Sequence, residues 1–165
     1  HARYAEAVER FGAALERLVR AYERDPARQE DLLQDIHVAL WRSLSGFDGR
    51  CSLRTWVYRV AHNTAISIVV RRRDAERRLI AIDDLELRAE NIDADRALDE
   101  RVARERVETL IQSLTPIDRE VMLLYLEDLD AATIAEITGL SPGNVSTKVH
   151  RIKQALIDRF HEGTR

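Results

Sequence analysis

The chain has 165 residues, enough for one ordinary domain or two small ones, and its 45% apolar and 33% charged residues exclude a disordered tail. No apolar run approaches the ~18 residues of a membrane span, and a single cysteine, Cys51, excludes a disulfide framework or a Cys-rich zinc site. The formal net charge of −3 argues against a uniformly basic nucleic-acid binder, but the charge is unevenly spread. Residues 42–73 hold seven Arg against one acid, whereas residues 107–138 hold one Arg against seven acids. Residues 139–165 turn basic again, with five cations against two acids. Phosphate contact needs only local positive charge, so the two basic stretches are candidates for nucleic acid or plain solvated faces. The chain opens on His1 rather than Met, and residue 1 is not expected to be the native start.

With only 6 Gly and 3 Pro, long helices are the default. Tyr4, Val8, Phe11, Leu15, Leu18 and Tyr22 alternate at spacings of four and three, which puts them on one face of a first helix. It stops at Asp25-Pro26, a cap followed by a residue suited to a first turn. A second helix carries Leu32, Leu33, Ile36, Ala39 and Leu40 and ends near Ser45-Gly46. Residues 45–52 (SGFDGRCS) read as a loop with an exposed Phe47, and Ser52 is expected to cap a third helix from Leu53 to about Arg73. Trp56, Val57, Val60, Thr64 and Ile68 form its expected inner face; a strand over 66–70 has no evident partner. Residues 74–93 lose periodicity, turn acidic and read as a linker. Leu98, Val102, Val107, Leu110, Ile111 and Leu114 restore a helical face, and Thr115-Pro116 restarts the chain in a helix through Tyr125. The expectation is all-α: two small helical domains, 1–74 and 107–165, joined by an acidic segment at 75–106.

Residues 131–157 carry a helix-turn-helix pattern. Ile134, Ile137 and Leu140 give a short helix an apolar face, Ala135 is small where a second helix must approach, and Gly139 suits the turn. Ser141 and Pro142 open the next helix, whose inner seam is Val145, Val149, Ile152 and Leu156. Its outer face presents Asn144, Thr147, Lys148 and Arg151, with Ser146, His150 and Lys153 at the margins. Short polar groups followed by cations suit a major-groove helix; the alternative is an ordinary hairpin with a solvated face.

The third helix mixes Arg54, Trp56, Tyr58, Arg59, His62 and Asn63, with Phe47 in the loop before it. Aromatics stack on unpaired bases, Arg neutralises backbone and an amide reads a base edge, which suggests single-stranded or opened DNA. Trp56 and Tyr58 are also candidates for the core, which is the favoured reading for Trp56 taken alone, with the Arg side chains then simply solvated. Nothing suggests an enzyme: His37, His62 and His150 lack metal-ligand spacing, and there is no Gly-rich phosphate loop or nucleophile elbow. No catalytic residue, metal site or cofactor is expected, and neither the Asp31/Asp35 pair nor Cys51 changes that.

The chain resembles the extracytoplasmic-function (ECF) sigma factors of bacterial RNA polymerase. DPARQEDLLQDIHVALWRSLSGFDGRCSLRTWVYRVAHNTA looks like their region 2, and LTPIDREVMLLYLEDLDAATIAEITGLSPGNVSTKVHRIKQAL like their region 4. The resemblance implies a cytoplasmic transcription initiation factor that binds core polymerase on its β′ clamp helices and β flap, together with promoter DNA and an anti-sigma factor. It places Asp31, Leu32, Gln34, Asp35 and Trp41 at the clamp helices. Phe47, Asp48, Gly49, Arg50 and Ser52 fall in the loop that, with Asn63, captures a flipped −10 base, flanked by Arg54, Trp56 and Arg59. Asn144, Ser146, Thr147, Lys148, His150, Arg151 and Lys153 fall on the helix that reads the −35 element. Two departures stand out: Ser67 occupies a position that is often Asp or Asn, and Ala131-Ala132-Thr133 a stretch that is often acidic. A second reading, a sigma mimic that sequesters an anti-sigma factor without touching DNA, leaves the retained Arg54, Arg59, Asn63, Lys148 and Arg151 without a purpose.

Overall fold

The computed structural model describes residues 2–80, 107, 109–111 and 113–162, and every regular element among them is helical. Helices α1 (Ala2–Tyr22), α2 (Pro26–Ser43) and α3 (Leu53–Ile80) form the N-terminal half, with one 3-10 turn at Leu44–Gly46 after α2. Helices α4 (Pro116–Leu126), α5 (Ala131–Thr138) and α6 (Pro142–Glu162) form the C-terminal half.

Capping explains most of the boundaries. Asp25 accepts a hydrogen bond from the Ala27 amide at 3.1 Å, with Pro26 in the first turn of α2. Ser52 does the same for Thr55 at 3.0 Å and starts α3, as expected. Thr115 caps α4, Asp130 caps α5 through the Thr133 amide at 2.7 Å, and Ser141 caps α6 through the Asn144 amide at 3.2 Å. Bonding to the Thr133 amide also holds the exposed Asp130 carboxyl below its ordinary pKa. Helix α5 ends at Gly139, whose φ of 77° is the left-handed conformation that a side chain would strain. Helix α4 ends in the same way on Asp128 (φ 58°): the Leu129 amide reaches the Leu124 carbonyl and the Asp128 amide reaches that of Tyr125.

Phe11, Leu15 and Leu18 of the expected α1 stripe are buried, and Ala7, Ala14 and Val19 widen it because α1 packs against α2, α3 and α4 together. Leu32, Ile36 and Leu40 of α2 lie inward as expected. Helix α3 departs from expectation twice. It continues to Ile80, so residues 74–80 are helix rather than linker; residues 81–93, with Leu98 and Val102, lie outside the described residues. Its fully buried residues are Val57, Tyr58, Ala61 and Ala65, whereas Trp56, Val60, Thr64 and Ile68 are only half-buried. The register shifts because α3 is covered on a second side by the C-terminal half, through contacts with α5. One continuous apolar cluster therefore runs from α1–α3 into Val121, Leu124, Leu129, Ile134, Ala135, Ile137 and Val145.

Candidate nucleic-acid interface

Three surfaces carry the residues singled out above. On α2, Asp31, Gln34, Asp35 and Trp41 face solvent, Trp41 being 54% exposed, with Val38 beside them at 40%. Leu32 is only 1% exposed; it anchors α2 in the core and shapes this surface from beneath. The result is an acidic face with two large apolar side chains in water, a pattern typical of a partner surface.

The loop from Phe47 to Ser52 leads from this surface to α3. Phe47 is half-buried rather than exposed: its ring meets Trp56 edge-on at 5.3 Å between centroids, and the Arg3 guanidinium lies 5.7 Å from it. Arg3 also bonds the Phe47 carbonyl at 3.1 Å, and Trp56 is held by its indole N–H on the Ser43 hydroxyl at 3.2 Å. Asp48 accepts from the Arg50 amide at 3.1 Å, bending the loop, and Gly49 takes φ 77° with open space around it. Arg50 pairs with Asp48 at 2.9 Å, yet its side chain is 89% exposed and available to a larger anion. Ser52 and Asn63 are exposed.

Other α3 residues are already engaged. Arg54 donates to the Glu127 carbonyl and sits 5.9 Å from the Tyr58 ring, and Arg59 pairs with Glu136 of α5. Tyr58 is a core residue, 1% exposed, packed against Phe11 at 6.4 Å between ring centroids. Its hydroxyl donates to Glu127 at 3.3 Å, and burial first, then the Glu127 charge, push its pKa up to about 12. His62 is buried too, and its Nδ1 meets the Glu120 carboxylate. Neither Tyr58 nor His62 is therefore open to an unpaired base in this arrangement. Single-residue patterns missed the polar contacts, because α3 interleaves apolar and polar positions and Glu120, Glu127 and Glu136 lie more than fifty residues away.

Helix α6 shows the expected two faces. Val145 and Ile152 are buried and Val149 and Leu156 half-buried. On the other side Asn144, Ser146, Thr147, His150, Arg151 and Lys153 are exposed. Thr147 bonds back to the Gly143 carbonyl at 2.9 Å, and Lys153 lies over the Tyr125 ring at 5.2 Å. Lys148 is the exception: half-buried, it pairs with Asp118 at 2.6 Å. Partial burial raises the Asp118 pKa, but hydrogen bonds from Lys148 and Thr115 and the charges of Lys148 and Arg151 together bring it below the ordinary value of 3.8.

Comparisons with known proteins agree with this geometry. Residues 7–78 match Sigma-70 region 2 and residues 104–156 match Sigma-70, region 4. The RNA polymerase sigma factor YlaC of Bacillus subtilis is 34% identical over 132 residues, covering 77% of this chain and 74% of that one. The ECF RNA polymerase sigma-E factor of Escherichia coli is 26% identical over 138 residues, 76% of this chain and 70% of its own. Among solved structures, the sigma factor RpoE of Bartonella quintana, in complex with the anti-sigma factor NepR, superposes with a TM-score of 0.73 at 20% identity, over 94% of each chain. CnrH, in complex with the cytosolic domain of CnrY, gives 0.67 at 22% identity over 96% of this chain and 88% of its own. Two ordered matches, a relative above 30% identity and the shared fold identify the chain as an RNA polymerase sigma factor of the ECF type.

Proposed function

We propose that this sigma factor docks on core RNA polymerase, brings it to promoters and opens the −10 element by binding alone, without catalysing a reaction. The α2 face of Asp31, Gln34, Asp35 and Trp41 meets the β′ clamp helices, and the C-terminal half meets the β flap. The 47–52 loop with Asn63, Arg54, Arg59 and Trp56 captures unpaired −10 bases. Helix α6 reads the −35 element through Asn144, Thr147 and Arg151, with Ser146, His150 and Lys153 beside them and Lys148 once it leaves Asp118. On this reading the chain divides into two binding units joined by the segment that follows α3, works in the cytoplasm and is held in check by an anti-sigma protein.

The observation that carries this reading is α6: a capped helix with a buried apolar seam and an opposite face of exposed amide, hydroxyl and cationic groups. The test is permanganate reactivity of thymines in a pool of promoter fragments, with bacterial core polymerase and this chain. Reactive thymines clustered upstream of start sites, only when both proteins are present, are the expected result. Core binding without opened DNA on any fragment, joined to tight binding of an anti-sigma protein, would favour the sequestering reading instead.

A further inference from the structure

The loop from Phe47 to Ser52 has little of its own to hold it. Asp48, Gly49, Arg50 and Ser52 are exposed, and Gly46 and Gly49 have open space where a β-carbon would stand. A segment with so few buried contacts is ordered only where it is anchored. Its far end is fixed by Ser52, which accepts from the Thr55 amide at 3.0 Å and shares a hydrogen bond with the Thr55 hydroxyl at 2.9 Å. Its near end leans on Trp56, whose ring meets that of Phe47 edge-on and whose indole N–H is bound to Ser43. The other support comes from 44 residues earlier in the chain, where Arg3 donates to the Phe47 carbonyl at 3.1 Å and places its guanidinium 5.7 Å from the ring of the same residue. The first turn of α1 gives Arg3 a firm root. Its neighbour Tyr4 is hydrogen-bonded through its hydroxyl to Nδ1 of His37 on α2 at 3.1 Å, and the two rings meet edge-on at 6.1 Å. Ala7 and Phe11, one and two turns further on, are buried.

We propose that Arg3 is a positioning residue for capture of an unpaired −10 base: by holding both the carbonyl and the ring of Phe47, it keeps that aromatic wall and the turn at Asp48–Arg50 in the arrangement a flipped base enters. This inference deepens the −10 role proposed above and rests on it. The two contacts have different effects. The carbonyl bond fixes the plane of the peptide that joins Phe47 to Asp48, and so the direction in which the exposed turn departs. The ring contact stops Phe47 from swinging off Trp56. Neither suffices alone, because an edge-on ring pair tolerates sliding and a single exposed hydrogen bond exchanges with water. A preformed wall matters because any ordering the loop undergoes on binding is subtracted from affinity. Arg3 therefore acts through Phe47 and not on the nucleic acid.

Two measurements on the full chain test this. The first needs neither polymerase nor DNA: acrylamide quenching of fluorescence in a Trp41→Phe background, which leaves Trp56 as the only tryptophan. Arg3→Ala should make Trp56 more accessible to the quencher, and Arg3→Lys, which keeps a cation and a donor, should restore most of the shielding. Quenching unchanged by Arg3→Ala overturns the brace. The second is binding of holoenzyme, assembled from bacterial core polymerase and this chain, to a forked fragment whose single-stranded −10 segment comes from a start site found in the permanganate pool. Arg3→Ala should weaken binding about fivefold. The loss should shrink in a Phe47→Ala background, and the dependence of affinity on salt should match the parent. A salt slope shallower by ~0.7, the signature of one lost single-strand phosphate contact, would make Arg3 a direct contact and overturn the positioning role. Losses that add in the double variant, or an affinity that Arg3→Ala leaves intact, would do the same. A parent holoenzyme that opens no fragment would remove the −10 role and the proposal with it, while the quenching result stands on its own.

Discussion

The ammonium of Lys148 lies 2.6 Å from the carboxylate of Asp118, tying the exposed helix α6 to the first turn of α4. An acid in the first turn is favourable beside the amide ends of α4, and the pair is half-buried, so water screens it only in part. The Asp118 pKa is lowered in the folded protein. Its stabilising contribution is therefore complete above the ordinary value of 3.8 and is lost as pH falls through the lowered value. Asp118→Asn should lower the thermal midpoint at neutral pH, and the gap from the parent should narrow as the pH drops below 3.8. A gap that stays constant in acid would show that the carboxylate charge is not what stabilises.

Gly139 and Asp128 both terminate helices in the left-handed conformation, at φ 77° and 58°. Adding a side chain at the first should destabilise the C-terminal half by about 1–2 kcal/mol, since a β-carbon crowds the following carbonyl. Removing one at the second should be neutral or stabilising. Chemical denaturation of Gly139→Ala and Asp128→Gly measures both, and equal losses in the two variants would contradict the backbone argument.

Most helix boundaries were legible in the sequence because local chemistry sets them. Asp25-Pro26, Ser52, Thr115-Pro116 and Ser141-Pro142 each pair a side-chain acceptor with the start of an apolar period, and all four sit where helices begin. The inner face of α3 was legible only in part: Val57 was expected inward and Tyr58 was weighed as a core residue, whereas the burial of Ala61, His62 and Ala65 was not expected. His62 is a polar-tipped residue that a single helix would turn outward, and only the cover that brings Glu120 against it makes its burial favourable. Nothing local to α3 announces that cover. The outward set on α6 was legible except at Lys148, whose partner Asp118 lies thirty residues upstream on a different helix.

Trp41 is 54% exposed on an acidic helix face, so its indole contributes little to the core. Trp41→Ala should leave unfolding within ~0.5 kcal/mol of the parent. The same change should weaken binding to core polymerase by more than ~1 kcal/mol, as expected of an aromatic anchor. Calorimetric melting and fluorescence titration with core enzyme give the two numbers. A large loss of stability with unchanged polymerase affinity would reassign the residue to packing.

Asn63 and Arg151 lie exposed on different helices and serve different steps in the proposed mechanism. Asn63→Ala should abolish promoter opening while leaving polymerase binding intact. Arg151→Ala should weaken duplex binding upstream by ~1–3 kcal/mol if it contacts a base. Permanganate reactivity and gel retardation separate the two effects. Transcription unchanged in both variants would remove the promoter-recognition role.

Run-off transcription tests the central claim most directly: bacterial core polymerase, with and without this chain, on a pool of promoter fragments. The expected result is transcripts that begin at discrete sites only when the chain is present, their upstream sequences sharing two spaced elements. Core polymerase that binds the chain and yields no such transcripts on any fragment would contradict it.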